Sequence, residues 1–290
     1  MIVETGYGKV NLALQITGRR KDGYHTIDTV FQSIGLADTI TLAPADTFSL
    51  TSSLKGLPCD TSNLAYKAYQ ALCDYVGEAR PVAIHLKKKI PLAAGLAGGS
   101  TDCAAVLRGL NRLWQLGLSL GELARIGATL GADVPFCIYG GTMRGTGIGD
   151  VLTPLPSLPS WPVLVVHPHA AVHTNEAYAL FDKSEAQLDV DVEAVQQAVA
   201  AQDRTALSNV MGNTFVRLIT PVVPEIMRCY ALLRHHGLEP LVSGSGPTTF
   251  AIVSEDKDIN SIYRALLQEA HIDVYKTTFT GGEDNPYETD

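Results

Sequence analysis

Three short stretches hold the residues able to do chemistry. The first, PLAAGLAGGSTDCAA from Pro91 to Ala105, sets Gly95, Gly98 and Gly99 ahead of an alanine-rich run. Glycine near a helix start costs about 0.5–1 kcal/mol against alanine, so the pattern implies a backbone that comes close to something. A strand, a loop without bulky side chains, then Ser100 and Thr101 at a helix start would aim several N–H groups at one anion. The bland alternative is a loop whose glycines only permit tight packing. A dinucleotide fingerprint is excluded because G-x-G-x-x-G does not occur here, and a P-loop because Gly99, not lysine, precedes Ser100.

The second stretch, GKVNLAL, puts Lys9 beside Gly8 at the start of a strand. The third, GADVPF at 131–136, puts Asp133 just after an expected helix. Their ordinary readings are an exposed lysine and an acid satisfying turn N–H groups. A second glycine cluster, SGSGP at 243–247, is another loop of close approach. His167 and His169 alternate along one strand with His173 nearby, a spacing some metal sites use, but nothing supplies a fourth ligand, and no protein-held metal is assigned.

The positioning elements are mixed strands and helices without strict alternation, which favours α+β over a doubly wound sheet. Short apolar runs with turn signals over the first 55 residues read as several strands, and VAIHLKKKI reads as the strand entering the glycine loop. Helices are expected at about 63–76 with Thr61 or Ser62 as cap, over DCAAVLRGLNRLWQL, and from Ser119 to Leu130, where Ser119 and Glu122 form a capping box. LPSLPSW is the linker candidate. Beyond it come the strand VLVVHP, helices near 174–181, 191–201 and 221–236, the strands LEPLVS and TFAIVS, a helix near 258–270 and a final strand VYKTTFT.

With 46% hydrophobic residues, 18% charged and a net charge of −8, the chain is globular and unsuited to nucleic acid. No run approaches a membrane span, and MIVETGYGKV lacks a basic-then-apolar leader, so a cytoplasmic protein is expected. Five cysteines without a CxxC pair fit reduced, mostly buried thiols.

In this order the motifs resemble the GHMP kinase superfamily, named for galactokinase, homoserine kinase, mevalonate kinase and phosphomevalonate kinase. The likeness lies in KVNLALQITGRRKDGYHTIDTVFQSIGLADTI, PLAAGLAGGSTDCAA, LGADVPF and SGSGP, from about residue 7 to 280. GRRKDGYH points to the branch whose acceptor is a cytidine diphosphate derivative of methylerythritol. The resemblance implies an α+β, two-domain fold: an N-terminal domain over 1–156 like the second domain of ribosomal protein S5, a ferredoxin-like domain over 157–282, and a polar tail at 283–290. It further implies an ATP- and Mg2+-dependent kinase acting on the acceptor's 2-hydroxyl in the non-mevalonate isoprenoid precursor pathway.

Carried over residue by residue, the loop Pro91, Leu92, Ala93, Ala94, Gly95, Leu96, Ala97, Gly98, Gly99, Ser100 and Thr101 would wrap the ATP phosphates. Asn63 and Lys89 would lie near the adenosine, although Asn63 also suits a helix cap. Asp133 would receive or orient the hydroxyl proton, and Lys9 would offset charge on the transferring group. Mg2+ would arrive with ATP, with Ser100 as a possible contact. Tyr24 and His25 would hold the cytosine, and Tyr178 would face it or pack on the core. Asn11, Gly244 and Ser245 complete the acceptor set. The sequence departs from the usual pattern where Tyr7 and Gly8 replace a common Pro-Ala, Ala97 a frequent glycine and Cys103 a common alanine. Two other readings stay open: a GHMP kinase for another small alcohol of the mevalonate or homoserine type, and a non-catalytic nucleotide binder. The pairing of Lys9 with Asp133 speaks against the latter. Oligomeric state, monomer or homodimer, is not fixed by the sequence.

Overall fold

The structure, a computed structural model, describes residues 1–184 and 189–281. The polar tail expected at 283–290 lies outside the described residues. The chain forms two compact units, one of Met1–Gly8, Ala37–Leu92 and Ala97–Gly140, the other of Lys9–Leu36, Ala93–Leu96 and Gly141–Asp290. Both units draw on the same first two strands, β1 (Ile2–Arg19) and β2 (His25–Pro44). These are far longer than the short strands expected from the sequence. From Gly8 to Leu14 every residue of β1 is buried, polar Lys9 and Asn11 included, so the period-2 alternation that marks a strand is lost there.

In the first unit β3 (Ser49–Ser52) runs parallel to β4 (Val82–Lys87), and β4 pairs antiparallel with the C-terminal half of β2 from Thr39 to Pro44. Its helices are α1 (Leu64–Val76), α2 (Gly98–Trp114), α3 (Leu120–Ala128) and α4 (Val134–Tyr139); α2 packs against α1 and α4, and α3 against α4. Ile40, Leu42, Leu72, Ile84, Leu86 and Phe136 are its largest fully buried apolar side chains. The capping box of Ser119 and Glu122 is formed in both directions. Helix α2 starts at Gly98, two residues before Ser100, where the sequence led us to expect a helix start, because it takes Gly98 and Gly99 into its first turn. Glycine is a poor helix former in general. A six-residue helix such as α4 is too short for its periodicity to show.

In the second unit the N-terminal half of β2 pairs antiparallel with β5 (Thr142–Thr146), which pairs with β6 (Val151–Pro154). A four-stranded antiparallel sheet contains β7 (Pro162–Pro168), β9 (Leu241–Val242), β10 (Thr249–Ile252) and β11 (Ile272–Thr278) in the order β11-β7-β10-β9. The fourth, first, third and second strands thus lie side by side, the ferredoxin-like order that the sequence led us to expect. Between β7 and β9 come α5 (Thr174–Lys183), α6 (Val192–Ala201), α7 (Arg204–Val210), the short strand β8 (Gly212–Asn213) parallel to β1, α8 (Val216–Ile219) and α9 (Pro224–His235). Gly237, with φ +70°, ends the last of these as expected of a C′ glycine. Helix α10 (Ile259–Leu266) precedes β11 and packs Ile262 and Leu266 into a core with Leu164, Val166, Leu233 and Val274.

All five cysteines are free, and all but Cys59 are buried; burial raises the Cys103 thiol and pushes that of Cys229 up to about 12, so these are inert at neutral pH. Among the described residues no helix is long and apolar enough to cross a membrane.

Candidate active site

The glycine loop joins β4 to α2 through left-handed residues at Ala93, Gly95 and Ala97, with φ of +50°, +74° and +59°. At Gly95 the requirement is steric as well as conformational. A Cβ there would lie 2.2 Å from the Ser243 carbonyl oxygen and 3.1 Å from that of Gly246. The close neighbour of this glycine is therefore the main chain of SGSGP, and Ser243 Oγ donates to the Gly95 carbonyl at 2.9 Å. Ala97 holds a conformation that costs an L-residue about 1 kcal/mol, which is the physical reason glycine suits its position.

Helix α2 begins with no side-chain cap, since Ala97 has no acceptor to offer its first N–H groups. Gly99 is exposed, and a Cβ on it would meet only Leu64 Cδ1 at 3.5 Å. Uncapped N–H groups at the positive end of a 17-residue helix are an anion site in waiting. Ser100 is half-buried, whereas Thr101 is buried with its hydroxyl donating to the Tyr7 carbonyl at 2.7 Å, a structural use. Gly99→Ala should therefore raise stability by about 0.5–1 kcal/mol and, by adding a methyl group at the uncapped helix end, weaken the binding of an anion such as ATP. Thermal unfolding and ATP titration of one variant check both signs.

Asp133 stands at the N-cap of α4 and makes no side-chain cap bond to it. Its turn lies beside the loop: a Cβ on Gly131 would sit 4.0 Å from Ser100 Oγ. In the second unit Lys9 is 4% exposed; its Nζ donates to Asn11 Oδ1 at 2.8 Å and lies 5.3 Å from the Phe31 ring centroid. Asn11 Oδ1 also accepts from the Gly244 N–H at 3.0 Å, and Asn11 Nδ2 donates to Thr29 Oγ1 at 2.8 Å. Lys9 N donates to the Leu96 carbonyl at 3.2 Å. The structure thus gathers Lys9, Asn11, Gly95, Leu96 and Gly244 into one buried network. Ser245, also buried, exchanges a hydroxyl hydrogen bond with Thr174 at 3.1 Å.

The GYH segment closes the turn between β1 and β2. Tyr24 is 62% exposed, and His25 is buried. His25 stacks on Tyr178 with centroids 4.5 Å apart and meets Phe181 edge-on at 5.8 Å. Its Nε2 lies 2.7 Å from Asp182 Oδ1, and Asp182 also receives Arg19 at 3.2 Å. Tyr178 packs on the core with Phe215 and against His25, so the packing reading of Tyr178 holds in the structure. Asp182 was not singled out from the sequence, although it lies one helical turn beyond Tyr178 on α5, at the spacing that brings two side chains to one face.

Two family models match the chain, GHMP kinases N terminal domain over residues 63–141 and GHMP kinases C terminal over residues 193–273. The 4-diphosphocytidyl-2-C-methyl-D-erythritol kinase of Geobacillus sp. (strain WCH70) is 41% identical over 261 residues, covering 89% of this chain and 90% of that protein. The chain belongs to the GHMP kinases. The kinase of the same name from Moorella thermoacetica (strain ATCC 39073 / JCM 9320) is also 41% identical, over 276 residues, with 93% of this chain and 96% of that protein covered. The crystal structure of a 4-(cytidine 5'-diphospho)-2C-methyl-D-erythritol kinase superposes with a TM-score of 0.82 at 32% identity, covering 97% of this chain and all of that one.

Other positions of this GHMP kinase serve the fold. Asn63 caps α1, accepting from Ala65 N at 2.9 Å and donating to the Pro58 carbonyl at 2.6 Å, so the capping reading describes it. His167 is buried against Thr248 Oγ1 at 2.9 Å and His169 faces Asp273 at 3.2 Å; among the described residues no three His, Cys, Asp or Glu side chains form a metal-sized group. Lys89 is exposed. Its neighbour Lys88 is not: the Lys88 side chain is 3% exposed and its Nζ lies 2.5 Å from both Asp38 Oδ2 and Asp102 Oδ2. The sequence reading placed Lys88 in the segment VAIHLKKKI without assigning it a role. Alternation through Val82, Ile84 and Leu86 carries the inward face of β4 straight on to Lys88, a signal that was there to be read.

Burial pushes the Asp102 carboxyl up to about 7; Lys88 pulls it down and Asp38 adds to the rise. An unfolded aspartate titrates near 4. Between about pH 4 and 7 the folded chain keeps a proton that the unfolded chain has released, so stability present below about pH 4 is lost as pH rises to about 7. Asp102→Asn carries no such proton, and its Tm should vary less with pH across that window than the parent's. Parallel Tm curves would contradict this assignment of the proton.

Proposed function

We propose that this chain transfers the γ-phosphoryl group of ATP to the 2-hydroxyl of 4-diphosphocytidyl-2-C-methyl-D-erythritol, releasing ADP. One observation carries the choice of acceptor: His25 is braced by Asp182 and Tyr178 at the GYH turn, and kinases of that compound match 89–93% of the chain at 41% identity. Braced through Nε2, the imidazole presents its other nitrogen in a fixed direction, as recognition of a pyrimidine edge requires. Exposed Tyr24 supplies a ring face on which a base can stack.

In this reading Pro91 to Thr101 holds the triphosphate on main-chain donors, with Asn63 and Lys89 toward the adenosine. The acceptor oxygen attacks the γ-phosphorus as its proton passes to the Asp133 carboxylate, and the bond to the bridging oxygen of ADP breaks. Lys9 supplies positive charge for the transferring group, and Asn11, itself held by the Gly244 N–H, keeps its ammonium in place. Phosphoryl transfer draws mainly on positioning and electrostatic stabilisation, so a weak base suffices. The donors present suit Mg2+, a hard cation that takes hydroxyl, phosphate and water oxygens; Ser100 would contact it, and its charge would offset that of the phosphates. Free thiols and the absence of a long apolar helix among the described residues support a cytoplasmic site of action.

Calorimetric titration with CDP and UDP tests the acceptor. CDP should bind at least 10-fold tighter than UDP, and His25→Ala should abolish the difference. Equal binding of the two, or none, would favour a kinase of another small alcohol, for which mevalonate and homoserine are the compounds to try.

A further inference from the structure

We propose that Lys88, Asp38 and Asp102 are positioning residues, a buried cross-tie that fixes the spacing between the two ends of the glycine loop and so sets its affinity for ATP. The proposal rests on the reading of that loop as the nucleotide site. The Lys88 ammonium uses its three N–H bonds on three partners: Asp38 Oδ2 and Asp102 Oδ2 at 2.5 Å, and the Gly98 carbonyl at 3.2 Å. Asp38 in turn accepts the main-chain N–H groups of Lys89 at 2.5 Å and Ile90 at 3.0 Å through Oδ1. The chain entering the loop, 88–90, and the chain leaving it, 98–102, are thus fastened to the same three side chains. Asp38 is wholly buried, and the Lys88 and Asp102 side chains are 3% and 4% exposed.

Such a cluster is a poor device for stability alone. A buried ion pair gains little over well-packed apolar residues of the same volume, and here two carboxylates face one ammonium. Asp102 Oδ1, moreover, is buried without a hydrogen-bond partner. What the cluster supplies is geometry. Lys88 can satisfy all three acceptors only when the first carbonyl of α2 and the Asp102 side chain stand at one distance from the end of β4. Main-chain donors that gather a phosphate tolerate little displacement, since a 1 Å error in a positioning group can cost about 100-fold in rate. Gly98 adds a second constraint, because a Cβ on it would press on Ile90 Cγ2 at 3.1 Å, so the two ends also touch directly.

Asp102→Ala and Asp102→Asn test the tie by calorimetry with ATP and, separately, CDP, alongside thermal unfolding. Alanine removes one strut and leaves the Lys88–Asp38 pair balanced; asparagine keeps an oxygen able to accept from Lys88. The expected result is a 10-fold or greater loss of ATP affinity in Asp102→Ala, CDP affinity within 2-fold of the parent, and recovery of most of the loss in Asp102→Asn. Unchanged ATP binding in Asp102→Ala, a parallel loss of CDP binding, or no recovery in Asp102→Asn would overturn the proposal. Should Asp102→Ala fail to fold, Lys88→Arg replaces it with the same expectation, because a planar guanidinium cannot meet three partners arranged around a point. Turnover by the parent chain reports on the kinase reading independently of these ratios.

Discussion

Asp133→Asn will lower kcat by about 100- to 1000-fold while leaving ATP affinity within a few-fold of the parent, the loss typical of removing one preorganised group from a transition state. Lys9→Met should fall in the same range. Lys9 is buried and donates to Asn11 Oδ1, which also accepts the Gly244 N–H. In the proposed reaction Lys9→Met removes positive charge from the same step that Asp133 serves. If the two residues serve one chemical step, the double variant will lose scarcely more than either single one, since groups acting as a unit are non-additive. Steady-state kinetics with both substrates varied will show it; additive losses, or a loss expressed only in KM for ATP, would contradict the roles assigned.

Gly95→Ala should be the most damaging single methyl group in the two glycine clusters. The substitution meets a main-chain oxygen at 2.2 Å with φ at +74°, and neither neighbour is the tip of a flexible side chain that might swing away. Strain and overpacking together amount to about 3 kcal/mol or more. For a protein of this size that lowers Tm by about 10 °C. The variant that survives will have displaced either the glycine loop or SGSGP, and Ser243 Oγ will lose its bond to the Gly95 carbonyl. Set against Gly99→Ala, the contrast is of sign: one glycine is bare because protein presses on it, the other because nothing does. A Tm for Gly95→Ala within 2 °C of the parent would contradict this account of the loop.

Much of this was legible in the residues. The turn at KDGYH, the cap pair Ser119 and Glu122 and the C′ position of Gly237 follow from local chemistry, the ferredoxin-like sheet was implied by the family resemblance, and the structure shows each. What the sequence concealed lies where tertiary context overrides local pattern. Lys9 and Asn11 sit in a strand buried on both faces, where no alternation survives to mark it. Helix α2 takes Gly98 and Gly99 into its first turn although glycine is a poor helix former. Lys88 is the middle one of three consecutive lysines, and only the partners supplied by Asp38 and Asp102, distant in sequence, explain its burial. Asp182 could not be tied to His25 from sequence, since the two stand 157 positions apart.

The most direct test is a single reaction containing the purified chain, Mg2+, ATP labelled at the γ-phosphate and 4-diphosphocytidyl-2-C-methyl-D-erythritol, with the product followed by phosphorus NMR. The account predicts one ADP for each acceptor consumed and a new phosphomonoester on the 2-oxygen, with mevalonate and homoserine left untouched. Label retained in ATP with this acceptor, or transferred as readily to either of the other two alcohols, would contradict it.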